Sequence, residues 1–187
     1  MPPKVTTTKA DIVNAAVEIV RKDGAGALNA RNIAAALGCS TQPIFSNFAT
    51  MQDLRLAVVA RTDALCRDYM QREIESGLYP AYKATGMAYI RFAKEEKELF
   101  RLLYMRDRAE EDPRAELEIG SELEAMICQN TGLDPETAKL FHLEMWACVH
   151  GIATMLATGF VDLPWELVSK MLTDVYQGLR KQYQMEG

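Results

Sequence analysis

The side chains able to carry covalent chemistry are few in this sequence, and they stand apart. The two histidines, His142 and His150, are eight residues apart, with no Glu-x-x-His pair to build a helical metal site. There is no glycine-rich phosphate loop, and no Ser or Cys stands in a nucleophile setting. Glu110, Glu111 and Asp112 read as a solvated acidic run in a loop. Cys39, Cys66, Cys128 and Cys148 form no CxxC pair, and their spacing reads as unpaired thiols in a reducing compartment. These absences argue against an enzyme, a bound metal or a cofactor.

The chemistry that the sequence does carry is recognition. Residues 29–48, NARNIAAALGCSTQPIFSNF, predict two short helices joined by a tight turn at Gly38, with Ala34, Ala35 and Ala36 small enough for close approach. That is the spacing of a helix-turn-helix whose second helix enters the major groove of DNA. Thr41, Gln42, Ser46 and Asn47 would form a short polar reading face, and Ile44, Phe45 and Phe48 would anchor it, with Phe45 partly at the DNA backbone. Pro43 is tolerated in a first helical turn and offers an apolar surface to a thymine methyl. The same spacing also fits a plain αα-hairpin.

These residues need elements to hold them, and the punctuation is helical throughout, with no period-two strand. A first helix opens at Thr8, with Asp11 completing a capping box, and stops near Gly24. Helices follow over about 30–37, 41–48 (capped by Ser40) and 51–76, the last opened by Thr50 and Asp53. Five more are expected over about 80–93, 96–106, 113–130, 135–158 and 164–184. Asp112-Pro113, Asp134-Pro135 and Asp162 before Pro164 act as start signals. The expected fold class is all-α, with about nine helices in 187 residues.

The net charge of −5 is unevenly spread. Residues 1–55 carry Lys4, Lys9, Arg21, Lys22, Arg31 and Arg55 against Asp11, Glu18, Asp23 and Asp53, so the acidic excess lies wholly in the remainder. A weakly basic head on an acidic body suits a protein whose head alone meets phosphates. No apolar run is long enough to span a bilayer, and residues 1–11 lack a signal-peptide core, so no membrane partner and a cytoplasmic location are expected.

The order of features from Thr8 to Val59 resembles the N-terminal domain of tetracycline-repressor (TetR) family regulators. A short helix ends in Ala-Leu-Gly, a Cys-Ser turn follows, and Ile44-Phe45, Ser46-Asn47 and Phe48 stand where the family often has leucine-tyrosine, two residues and phenylalanine. Met51 replaces the usual lysine early in the fourth helix, and Phe45 replaces a tyrosine whose hydroxyl commonly meets phosphate. The resemblance implies that Lys9, Arg31, Thr41, Gln42, Pro43, Phe45, Ser46 and Asn47 meet DNA, with Lys4 reaching a flanking phosphate. It implies a helix-turn-helix domain over 1–53, a fourth helix over 51–76 as connector, and a ligand-binding and dimerisation domain over 54–187.

In the body, Trp146-Ala-Cys-Val-His150-Gly151 is similar to the tryptophan-x-x-x-histidine-glycine (WHG) signature of one C-terminal subgroup of that family. The resemblance implies a small-molecule effector held among Met87, Tyr89, Ile90, Phe100, Tyr104, Met126, Trp146, His150 and Met155, each of which could equally be core. An aromatic and Met lining suits a mostly apolar effector. The last two long helices are expected to form a homodimer interface through Gly151, Ala153, Ala157, Thr158, Leu167, Met171, Leu172 and Val175, or else to complete the core. The function implied is a repressor that binds a palindromic operator in double-stranded DNA and is released by its effector. The other reading is a helical protein-binding module, or a regulator without ligand-controlled release.

Overall fold

The computed structural model describes residues 7–106 and 121–183. Lys4, the acidic run at 110–112 and the helix start expected at Asp112-Pro113 lie outside them. Among the described residues there are nine α-helices and no strand, in the all-α arrangement expected. They are α1 Lys9–Asp23, α2 Ala30–Leu37, α3 Gln42–Asn47, α4 Met51–Glu75, α5 Ala81–Glu95, α6 Lys97–Tyr104, α7 Ser121–Thr131, α8 Pro135–Ala157 and α9 Trp165–Gln182.

Several boundaries follow from capping. Thr8 Oγ1 accepts from the Asp11 amide at 3.1 Å while Asp11 accepts from the Thr8 amide at 2.9 Å. Thr50 and Asp53 repeat the device at 3.1 and 2.9 Å. Asp134 Oδ1 accepts from the amides of Glu136 and Thr137, both at 3.1 Å, and Oδ2 accepts from the Thr137 hydroxyl at 2.6 Å; the hydroxyl bond first, then the amides, holds its carboxyl below the usual Asp range. Gly38 turns the chain from α2 toward α3 at φ +63°, a conformation open to glycine without a Cβ clash.

Two expected caps are corrected. Thr41, not Ser40, precedes α3, with helical backbone angles and no side-chain cap, because a capping side chain needs an extended backbone to aim at the free amides. At α9 the N-cap is Pro164, without a side-chain cap. Asp162 lies too far upstream, and its carboxylate accepts from Lys94 Nζ at 2.7 Å.

The chain divides into two compact units, Met1–Arg67 with Glu96–Arg106, and Asp68–Glu95 with Asp107–Gly187. In the first, α1 packs on α2, α3 and α6. Its apolar stripe of Ile12, Ala16, Val17 and Val20 is buried, as are Ile33, Ile44, Phe48, Leu54 and Val58. From α6, Leu99, Phe100, Leu102 and Leu103 are also buried. Arg21 Nε donates to Glu96 Oε2 at 2.7 Å, which joins the end of α1 to the residue before α6. Cys66 is buried in this unit, 3.8 Å from the Tyr104 hydroxyl, and burial pushes its thiol pKa up to about 11. It therefore stays protonated and is a poor nucleophile.

In the second unit α5 lies along α8. A Cβ on Gly86 would stand 3.3 Å from Val149 and 3.4 Å from Leu172, so the missing side chain permits this close packing. Tyr82 bonds His142 at 3.0 Å and Tyr89 bonds His150 at 2.9 Å, and both pairs ascend together, so the two helices run in the same direction. At one end Phe141 packs edge-on to Tyr176 and Tyr183 around Ile127, Ala138 and Met145. Near the other, the buried Glu73 carboxylate meets Arg91 Nε at 3.3 Å, and the Arg91 guanidinium lies 4.6 Å over the Trp165 ring.

Candidate functional site

The helix-turn-helix is built so that one side of α3 holds and the other displays. Ile44 and Phe48 are buried and fix the helix to the first unit. Thr41, Gln42 and Ser46 are exposed, and Pro43 and Asn47 are half-buried. Phe45, expected as an anchor, is corrected: it is 54% exposed, because the step of about 100° per helical residue turns it away from the face that buries Ile44. Two of the polar side chains are partly engaged. Ser46 Oγ donates to the Gln42 carbonyl at 2.9 Å, and Asn47 Nδ2 donates to the Pro43 carbonyl at 2.8 Å. Ser46 thus keeps acceptor capacity, whereas the exposed Gln42 amide presents both a donor and an acceptor.

Cations border this face. Arg31 is exposed in the first turn of α2. Lys9 Nζ sits 4.9 Å over the Phe48 ring, which places its ammonium beside the end of α3. Arg61 shares with Lys9, Ala10, Val13 and Asn14 an open hollow on the same unit. Nothing in the sequence marks Arg61, since only the folding of α4 beside α1 brings it to Lys9.

The residues expected around an effector belong to both units. Tyr89, Trp146 and His150 do come together, with Trp146 stacked on the His150 ring at 4.8 Å and Thr154 Oγ1 3.4 Å from His150 Nε2. Met87 and Ile90 are completely buried on α5, and Met126 and Met155 are half-buried on α7 and α8. Phe100 and Tyr104 lie in the first unit, with ring centroids 5.0 Å apart.

Three residues expected at a dimer face are corrected. Ala153, Ala157 and Leu172 are buried within the chain itself and have no surface left for a partner. Gly151, Thr158 and Leu167 are exposed, Met171 is half-buried, and Val175 packs against the Phe141 cluster. The outward side of α8 shows instead Leu140, 50% exposed, and Leu143, 39% exposed, in line with Ala147 and Gly151. Their spacing of three and four is legible in the sequence, but α8 is apolar on its other sides too.

The C-terminal half of the sequence decides the family. A profile described as "Tetracyclin repressor-like, C-terminal domain" matches residues 82–175, half of the chain.

The chain belongs to the TetR-like family.

Members of this family are transcriptional regulators, not enzymes, and they typically bind DNA as dimers and respond to small molecules. Two solved structures share the fold. The multidrug binding protein EbrR, crystallised with imidazole, is 19% identical, with a TM-score of 0.61 over 89% of this chain and 93% of its own. A TetR-family member from Streptomyces coelicolor A3 is also 19% identical, at 0.61 over 89% and 96%. No curated protein matches the chain.

In the second unit of this TetR-like chain, His142 carries a titration with a definite sign. Burial lowers the His142 pKa below its ordinary 6.5. The unfolded chain therefore takes up the proton first as pH falls. This contribution to stability is fully present above about pH 6.5 and is lost as pH drops through the lowered folded value. The midpoint of thermal unfolding should fall between pH 7 and 5.5, and less so in His142→Asn, whose carbonyl can still accept from Tyr82. An equal fall in both proteins would remove His142 as the cause.

Proposed function

We propose that this TetR-like regulator is a cytoplasmic repressor that binds a palindromic operator as a homodimer and lets go when a small, mostly apolar effector enters the second unit. The observation that carries the DNA reading is the division of α3, with Ile44 and Phe48 locked inward while Thr41, Gln42 and Ser46 face out. A rigid helix with short polar side chains turned outward fits the major groove. Gln42 is the residue suited to a bidentate bond with adenine N6 and N7, and the cations Lys9, Arg31 and Arg61 would meet phosphates.

The dimer reading is supported by α8, where Leu140, Leu143, Ala147 and Gly151 form an outward apolar line that has no cover within the described residues of the chain. A second copy, with Leu167 and Met171 of α9 at the edge, would cover them and set two heads against successive major grooves about 34–36 Å apart. The effector reading is supported by the polar string Tyr89, His150 and Thr154, with Trp146 stacked on the His150 ring. That setting suits a largely apolar guest with one hydrogen-bonding group.

The test is selection of the purified protein against a random duplex library at near-physiological salt. An enriched inverted repeat is expected. Enrichment of nothing would overturn the reading and favour a helical protein-binding module. On the recovered site, Lys9→Ala should weaken all sequences alike and lower the slope of log affinity against log salt by about 1. Gln42→Ala should instead lose discrimination at one base pair per half-site, by about 1–3 kcal/mol. The same uniform loss from both substitutions would contradict this division of roles.

A further inference from the structure

This inference rests on the operator-binding reading and concerns Phe45. Its ring is 54% exposed on α3, a helix of six residues that is otherwise polar on its outward side. Ile44 and Phe48 are buried and already anchor the helix, so packing does not account for the ring. Phe45 follows Gln42 by three residues and Thr41 by four, which puts the three on neighbouring positions of the displayed surface. Ser46 and Asn47 each give one donor to the backbone of α3 itself. The reading surface therefore sets the Gln42 amide and the Thr41 hydroxyl beside a large apolar ring.

A phenyl ring has no hydroxyl with which to bond a phosphate. Among the groups that base edges present in the major groove, the apolar one is the C5-methyl of thymine. We propose that Phe45 is a specificity-determining residue that packs its ring on a thymine methyl in each half-site. The operator is thereby read by shape at that base pair and by hydrogen bonding at the one facing Gln42. Removing one methyl from such a contact costs roughly three- to tenfold in affinity per half-site.

The probe is the duplex recovered by selection, resynthesised with deoxyuridine for thymidine at one symmetric position at a time. Deoxyuridine keeps every Watson–Crick bond and removes the methyl alone. With the unaltered protein, one thymine position should lose roughly three- to tenfold per half-site. Phe45→Ala should bind the thymine duplex more weakly and show no further loss on the deoxyuridine duplex. Circular dichroism checks that the variant is folded, and the deoxyuridine series on the unaltered protein needs no variant. If no thymine position responds, or both proteins lose equally, the ring does not read a methyl and the inference falls. If selection enriches no sequence, the operator reading fails first and takes this inference with it.

Discussion

Arg91→Ala is expected to lower the stability of the protein by about 2–4 kcal/mol, a large share of what a domain of this size possesses. The cause is the carboxylate left behind. Glu73 is 8% exposed, and its charge is met by Arg91 Nε at 3.3 Å. Truncating the arginine leaves a charge in a place that water reaches poorly, and it also removes the guanidinium from the Trp165 face. The figure lies below that for a fully buried pair because the Arg91 side chain is 35% exposed. Chemical denaturation would measure it. The double variant Arg91→Leu with Glu73→Met should recover most of the loss, since an apolar pair of similar volume carries no desolvation cost. A single-variant loss under about 1 kcal/mol would mean that solvent already screens the pair.

The second large effect concerns assembly. Leu140→Glu combined with Leu143→Glu should convert the proposed dimer into a monomer that keeps its helical circular dichroism. Both side chains are exposed in the single chain, at 50% and 39%, so carboxylates there meet water when the chain is alone and meet each other's copies when it is paired. Operator affinity should fall by roughly 10²-fold or more, because the second head then binds independently and no longer at a high effective concentration. Light scattering and a binding titration on the selected duplex would test the two halves separately. A variant that remains dimeric would place the interface away from this face of α8. Ala153→Glu is a useful contrast, since that position is wholly buried and the substitution should unfold the second unit outright.

The sequence was most legible where the cause of structure is local. Thr8 with Asp11, Thr50 with Asp53, Asp134 before Pro135, and Gly38 each mark a helix boundary through contacts within a few residues, and each stands where that chemistry puts it. Ser40 and Asp162 misled because a capping side chain depends on the backbone angle beneath it, and Asp162 also had a distant competitor in Lys94. Around the candidate site the limit was different. Phe45 and Ile44 are adjacent and both apolar, and only the packing of α3 decides which one is hidden. The small residues of α8 likewise read as one stripe, yet Ala153 and Ala157 face inward while Gly151 faces out. Arg61 met Lys9, and Arg91 met Trp165, through folding that no local spacing announces.

The position of α6 bears on how such regulators can be taken apart and recombined. Its four buried side chains belong to the unit that carries the helix-turn-helix, although some thirty residues of the other unit come before it in the chain. A fragment ending at Arg67 would keep every residue proposed to face DNA and still leave the Arg21 side of α1 bare where α6 had lain. Transplanting this head onto another sensor therefore calls for two grafts, one ending near Arg67 and one carrying Glu96–Arg106, or for a redesigned α1 surface that tolerates water.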